Sequence, residues 1–208
     1  MGAQSVARRK TGDALVKTVD LQSGVSFIAA MPQLDDPNFR RSVVLLLRCN
    51  EQGSLGLIIN RPSRLSLTEF CSTQSLESDR PPHEPVMVGG PCDPESHLLV
   101  LHGEQPLRSA DPHAGDELQV GEGIHLVSSL AALAQLVASP RTRVRCYLGY
   151  AGWGPGQLEG ELAEGSWVVL PANRDLIFDE PSSRVWERAL RDAEIDPLAL
   201  TTSGGDPS

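Results

Sequence analysis

From residue 25 onward the chain is written in short apolar runs of β type, each closed within a few residues by Pro, Gly, Asp or Asn. This rhythm constrains the fold more than any other feature, because runs of about four to eight residues between turn signals suit strands. They fall at residues 25–31, 42–48, 55–60, 86–88, 98–102, 124–127, 143–150 and 167–170. The 42–47 run SVVLLL is apolar and β-rich without a break, which predicts a central strand covered on both faces. It should meet the next run through CNEQGS, a hairpin loop containing Gly53. A second hairpin is expected around GGPCDPES, joining runs 86–88 and 98–102.

Helical signals are fewer. Ser128 or Ser129 can cap a helix through Leu130, Leu133, Leu136 and Val137 that Pro140 ends. Pro155 suits the first turn of a short helix to Ala163, with Gly165 beyond its end. Ser182 or Ser183 can cap a helix with Val185, Trp186, Ala189, Leu190 and Ala193 on one face, and a weaker helix spans 66–76. Grouped strands with interspersed helices and no βαβ alternation predict an α+β fold. The expected form is a single compact domain over 23–198, a largely antiparallel mixed sheet or partial barrel with flanking helices. Residues 1–22 lack periodicity and read as a disordered arm, and 199–208 as a disordered tail.

Charge narrows the function classes. Residues 1–23 carry four basic and two acidic groups, leaving 14 arginines against 25 carboxylates, a net of −11, over 24–208. Such a body repels polyanions, so direct DNA binding is not expected. No apolar run approaches the roughly 20 residues of a membrane helix, and no secretory signal is visible, so a soluble cytoplasmic protein with no membrane association is expected. Cys49, Cys71, Cys92 and Cys146 show no CxxC or metal spacing and read as free thiols. The five histidines form no recognisable ligand pattern, and no phosphate-binding loop occurs, so neither metal nor cofactor is expected.

One stretch stands out: GYAGWGPGQLEGEL, residues 149–162. Gly152 and Gly154 flank Trp153, which lets backbone turn sharply around a large ring. Beyond Pro155, Leu158 and Leu162 share one helical face, and Gln157 and Glu161 another. With Glu159 turned toward the strand end, Trp153, Gln157 and Glu159 would line a pocket, and burial there would lift the Glu159 pKa into acid–base range. The bland alternative is a strand-to-helix turn in which Trp153 packs. In the preceding RTRVRCYLGY, Arg143, Arg145 and Tyr147 share one strand face, read as a solvated charged surface with RNA contact as the alternative. Asp35-Asp36-Pro37 reads first as a turn.

Taken together, LDDPNFRRSVVLLL, GSLGLIINRP, VMVGGP, LVLH, LGYAGWGPGQLEGEL, LPANRDLIFD and WERALRDAEIDP occur in an order that resembles the YqgE/AlgH family of bacterial proteins, over roughly residues 24–197. The resemblance implies a compact α/β protein without a DNA-binding motif, in a family labelled for transcriptional regulation without an assigned biochemical activity. It marks Asp36, Pro37 and Phe39; Gly56, Asn60, Arg61 and Pro62; Gly89, Gly90 and Pro91; and Gly152, Trp153, Gly156, Gln157, Leu158 and Glu159. Cys49 departs from a common histidine, Cys92 from a small aliphatic, and SSLAAL lacks an acidic residue before its helix. The candidate ligand- or partner-binding residues are therefore Asn60, Arg61, Gly89, Gly90, Trp153, Gln157 and Glu159, with no catalytic residue assigned. The expected function is non-enzymatic regulation through a protein partner. The alternative is a small-molecule sensor or enzyme with its pocket at GWGPGQLE, and direct transcriptional control ranks third.

Overall fold

A computed structural model describes residues 26–94, 97–103, 107 and 117–195. The expected arm at 1–22 and tail at 199–208 lie outside the described residues. Eleven described strands form two sheets. The five-stranded sheet contains β1 (Ser26–Ala30), β2 (Val43–Asn50), β3 (Gly53–Ile58), β10 (Ala151–Trp153) and β11 (Trp167–Pro171), in the order β10-β3-β2-β1-β11. The six-stranded sheet contains β4 (Pro62–Ser66), β5 (Pro85–Val88), β6 (Leu98–His102), β7 (Leu118–Gly121), β8 (Ile124–Val127) and β9 (Val144–Leu148), in the order β4-β5-β9-β6-β8-β7. Among the described strand pairs only β5–β9 is parallel. The fold is α+β and largely antiparallel, as the strand rhythm predicts, with two sheets and no closed barrel.

Period-two alternation sorts the apolar residues into layers. Val43, Leu45 and Leu47 join Leu57, Leu99, Leu101 and Tyr147 in the core between the sheets. Val44 faces the other way, with Ile28, Ile58, Ala151, Trp153, Leu158 and Trp167. Val100, Val144 and Cys146 look outward onto α1 (Leu67–Thr73) and α2 (Leu130–Val137). Helix α3 (Gln157–Ala163) covers the far face of the five-stranded sheet, where Leu158 is fully buried. Helices α4 (Arg174–Phe178) and α5 (Ser182–Asp192) close the inter-sheet core, where Trp186 Nε1 donates to the Ala30 carbonyl at 2.7 Å. β2 is thus central and covered on both sides, and it joins β3 through the expected hairpin.

Three expectations are corrected. Runs 86–88 and 98–102 do not form a hairpin, because β9 enters between β5 and β6 and pairs with both. β9 is interior, so of the Arg143, Arg145 and Tyr147 face only Arg143 is exposed: Tyr147 is fully buried, and Arg145 bonds Glu84 and the Phe178 carbonyl. Helix α5 begins after Pro181 with no side-chain cap, so neither Ser182 nor Ser183 caps it.

Helix α1 is shorter than the 66–76 span but better anchored. The Ser66 hydroxyl accepts from the Glu69 amide at 3.2 Å while the Glu69 carboxylate accepts from the Ser66 amide at 2.9 Å. Ser66→Ala should cost about 1 kcal/mol in thermal or urea unfolding. An unchanged stability would mean that α1 is held by Leu67, Phe70 and Cys71 alone.

Candidate functional site

The GWGPGQLEGEL stretch folds as β10, a left-handed Gly156 (φ 73°) and α3. Its centre is Glu161. One carboxylate oxygen, Oε2, accepts from Trp153 Nε1 at 3.0 Å and from Trp167 Nε1 at 2.8 Å. The other, Oε1, accepts from Gln157 Nε2 at 2.9 Å, and the Gln157 carbonyl oxygen accepts from the Gly154 amide at 3.0 Å. Phe39 completes the cluster, stacked on Trp153 at 5.7 Å between ring centroids and edge-on to Trp167 at 5.5 Å. Trp153 is 5% exposed. Both indole donors are spent on Glu161, and the Gln157 amide on Glu161 and the Gly154 N–H.

Arg61 supports the same cluster through the turn that carries Phe39, and Asn60 ties the end of that turn to β2. Asp36 begins a tight turn: its side chain accepts from the Asn38 amide, and its carbonyl accepts from the Phe39 amide. Arg61 donates to the carbonyls of Pro37 at 2.9 Å and Arg40 at 3.1 Å, fixing that turn so that Phe39 reaches the tryptophans. Asn60 donates to the Arg41 carbonyl at 2.9 Å and accepts from the Val43 amide at 3.0 Å, setting the start of β2.

Gly89 and Gly90 stand where the sheets meet. The Gly89 carbonyl accepts from the Ile58 amide and its amide donates to the Leu148 carbonyl, so one residue bonds to both sheets. A Cβ on Gly89 would lie 2.2 Å from the Gly149 oxygen, and one on Gly90 (φ 155°) 2.2 Å from the Tyr150 carbonyl carbon. These glycines permit close backbone approach.

What the turn offers outward is different. Glu159 is exposed, so the burial on which an acid–base role was premised is absent. It lies beside the exposed Cys49, whose thiol donates to Glu159 Oε1 at 3.7 Å and accepts from the Ser54 hydroxyl at 3.3 Å. The β2–β3 hairpin packs directly on the turn, since a Cβ on Gly53 would strike the Trp153 carbonyl oxygen. Glu51 and Gln52 at the hairpin tip, and Gly154, Pro155 and Gly156 in the turn that the hairpin packs against, are exposed like Glu159 and Cys49.

Sequence reasoning missed two arrangements. Cross-strand register sets His102 opposite His125, with rings stacked at 5.2 Å. Glu117 Oε1 lies 3.3 Å from His102 Nε2 and 2.9 Å from His125 Nδ1. Among the described residues no group of three or more His, Cys, Asp or Glu has an arrangement that could hold a metal ion. The second is a buried pair beneath β9, in which Arg80 meets Glu84 through two hydrogen bonds of 2.7 and 2.9 Å. All four cysteines are free, and burial pushes the Cys71 and Cys146 thiols up, away from reactivity at neutral pH. Among the described residues no helix is long and apolar enough to cross a membrane.

The comparisons with known proteins agree with this architecture. A family model described as AlgH-like matches residues 27–198. A "UPF0301 protein" of Myxococcus xanthus is 41% identical over 180 residues, spanning 86% of this chain and 94% of that one. Another, from Anaeromyxobacter dehalogenans, is 38% identical over 186 residues, spanning 86% and 92%. Among solved structures, the AlgH protein from Pseudomonas aeruginosa superposes with a TM-score of 0.65 at 33% identity, covering 88% of this chain and 95% of that one. A Corynebacterium diphtheriae protein shares the fold with a TM-score of 0.67 at 20% identity, covering 92% and 99%.

Proposed function

The chain belongs to the AlgH-like family, and on that footing we propose that it is a non-enzymatic regulatory protein that acts by binding a protein partner. Its binding face is the hairpin tip and the GWGPGQLE turn. The observation that supports this reading is the division of labour within the turn. The polar atoms of Trp153, Trp167, Gln157 and Glu161 satisfy one another, which leaves them to fix a shape. The exposed backbone around Gly154 and Gly156, with Glu51 and Glu159, is left for contact. A rigid acidic surface with accessible peptide groups suits a partner segment that carries basic side chains.

The small-molecule reading needs Trp153 as a pocket wall. That ring is covered by Phe39, so a ligand would have to displace Phe39 first. Direct DNA binding has less support. On α5, Arg184 pairs with Glu180, and Arg188 pairs with Glu180 and Asp192, so two of its three arginines are already neutralised.

Glu159→Lys separates these readings. With the purified protein immobilised, the variant should retain at least about tenfold less of any salt-eluted partner than wild type, roughly 1.4 kcal/mol in binding. Its melting temperature should not change, because Glu159 is exposed. Glu164→Lys, at the C-cap of the same helix, should bind as wild type. Equal capture by wild type and Glu159→Lys would sink this face as the interface.

A further inference from the structure

On the opposite side of the five-stranded sheet, the same end of the molecule holds a second group of side chains. β2 carries a bulge between Leu46 and Arg48: Leu46 lies opposite Gly56, and Arg48 lies opposite Leu55. The extra residue turns Arg48 toward the inter-sheet side, the side of Leu55, instead of toward α3. Leu55 in turn lies opposite Gly152. Two strand spacings put the Arg48 and Gly152 backbones about 10 Å apart, within the span of an arginine side chain.

Gly152 is an exposed floor. A Cβ there would sit 3.5 Å from the Tyr150 ring and 3.7 Å from Cys92 Sγ. Arg48 is half-buried, its Nε–H is buried, and among the described residues nothing accepts that hydrogen or pairs with the guanidinium. A buried guanidinium donor without an acceptor marks a place where an anion belongs. Behind Tyr150 stands His97, edge-on at 5.4 Å and 4% exposed, with Nε2 likewise buried and without a hydrogen-bond partner among the described residues. Asp93, in a left-handed conformation (φ 46°), accepts the Tyr150 hydroxyl at 3.2 Å and lies 3.6 Å from His97 Nδ1. Burial and then Asp93 push the Tyr150 phenol up, Cys92 adds to this and Arg48 opposes it, so the phenol stays protonated at neutral pH.

We infer that Arg48, Tyr150 and Cys92 form a binding site over Gly152 for the carboxylate of a small molecule. The guanidinium supplies the fork that a carboxylate fits. Asp93 selects against more highly charged anions, because its own negative charge stands at the rim and repels a phosphate dianion more than a monoanion. Cys92 lies where the rest of such a ligand would rest. The site is independent of the partner-binding face, which lies across the sheet around Glu159.

Cys92 makes the site testable with iodoacetate, a small carboxylate that also reports its position. The Cys92 sulfur attacks the methylene carbon, the C–S bond forms as the C–I bond breaks, iodide leaves, and the thiol proton passes to buffer. Iodoacetamide undergoes the same reaction without the charge, and the exposed Cys49 beside Glu159 is an internal control read from the same digest by mass spectrometry. The iodoacetate-to-iodoacetamide rate ratio should be at least about tenfold higher at Cys92 than at Cys49. Millimolar acetate should suppress it, chloride at equal ionic strength should not, and phosphate should suppress it less than acetate. Arg48→Met should bring the Cys92 ratio down to that of Cys49, whereas Arg48→Lys should keep part of the preference. Equal ratios at the two thiols, an unchanged ratio in folded Arg48→Met, or a Cys92 inert to both reagents overturns the site. If Arg48→Met does not fold, the wild-type ratio and its suppression by acetate decide alone.

Discussion

Glu84→Ala should be among the most destabilising single substitutions in the protein, at about 3–5 kcal/mol. For a chain of this size that is roughly 6–20 °C in melting temperature. The reason is what the carboxylate holds. Arg80 and Glu84 have side chains only 7% and 9% exposed, and they meet in a two-bond fork. Arg80 also donates to the carbonyls of Ser139 and Thr142, at 3.1 and 2.6 Å, on the segment between α2 and β9. Arg145 adds a bond from β9 to Glu84 at 3.2 Å and another to the Phe178 carbonyl at the end of α4. Removing Glu84 strands the buried Arg80 charge and breaks the link from Arg80 to Arg145 on β9.

The same physics predicts an asymmetry. Replacing both partners, as in Arg80→Met with Glu84→Leu, removes the stranded charge and should recover part of the loss. Arg145 is 26% exposed and can turn to water. Urea unfolding of the two single variants and the double variant measures the coupling directly. A double variant as unstable as the sum of the singles would mean that the pair is not the unit that matters.

How far the sequence could be read follows from which constraints are local. The β2–β3 hairpin is legible because SVVLLL is unbroken and Gly53 supplies the positive φ its turn needs. β4 is not, since PSRLS begins with proline and has one large apolar residue, and β10 has only Ala151, Gly152 and Trp153. Both exist because a neighbouring strand offers an edge. The false hairpin at GGPCDPES fails for the same reason, because β9, more than forty residues away, supplies the better partner for both strands. Within the site, the strand-to-helix turn around Trp153 could be read, and so could the shared face of Gln157 and Glu161. What Glu161 does could not, because Trp167 reaches it only when β11 returns beside β1. Likewise Asn60 and Arg61 look like binding residues in sequence, yet their bonds go to backbone carbonyls of the 37–41 turn.

Glu161 therefore carries the second large effect. Glu161→Ala should cost about 2–4 kcal/mol, because it leaves two indole N–H groups without their acceptor. The cost stays below that of two fully buried orphans, because Glu161 is half-exposed and water can replace part of the carboxylate. The melting temperature should fall by roughly 5–15 °C, and tryptophan emission should move to longer wavelength as Trp153 and Trp167 gain water. Glu161→Gln keeps an acceptor oxygen for the indoles and should lose less than half as much. This pair of variants also distinguishes the roles of the two neighbouring carboxylates. Glu161→Ala should weaken partner capture only in proportion to unfolding, whereas Glu159→Lys should weaken it with the fold intact. A folded Glu161→Ala with wild-type stability and emission would show that the two tryptophans are held by packing against Phe39 and Leu158. The carboxylate would then be free to act at the surface.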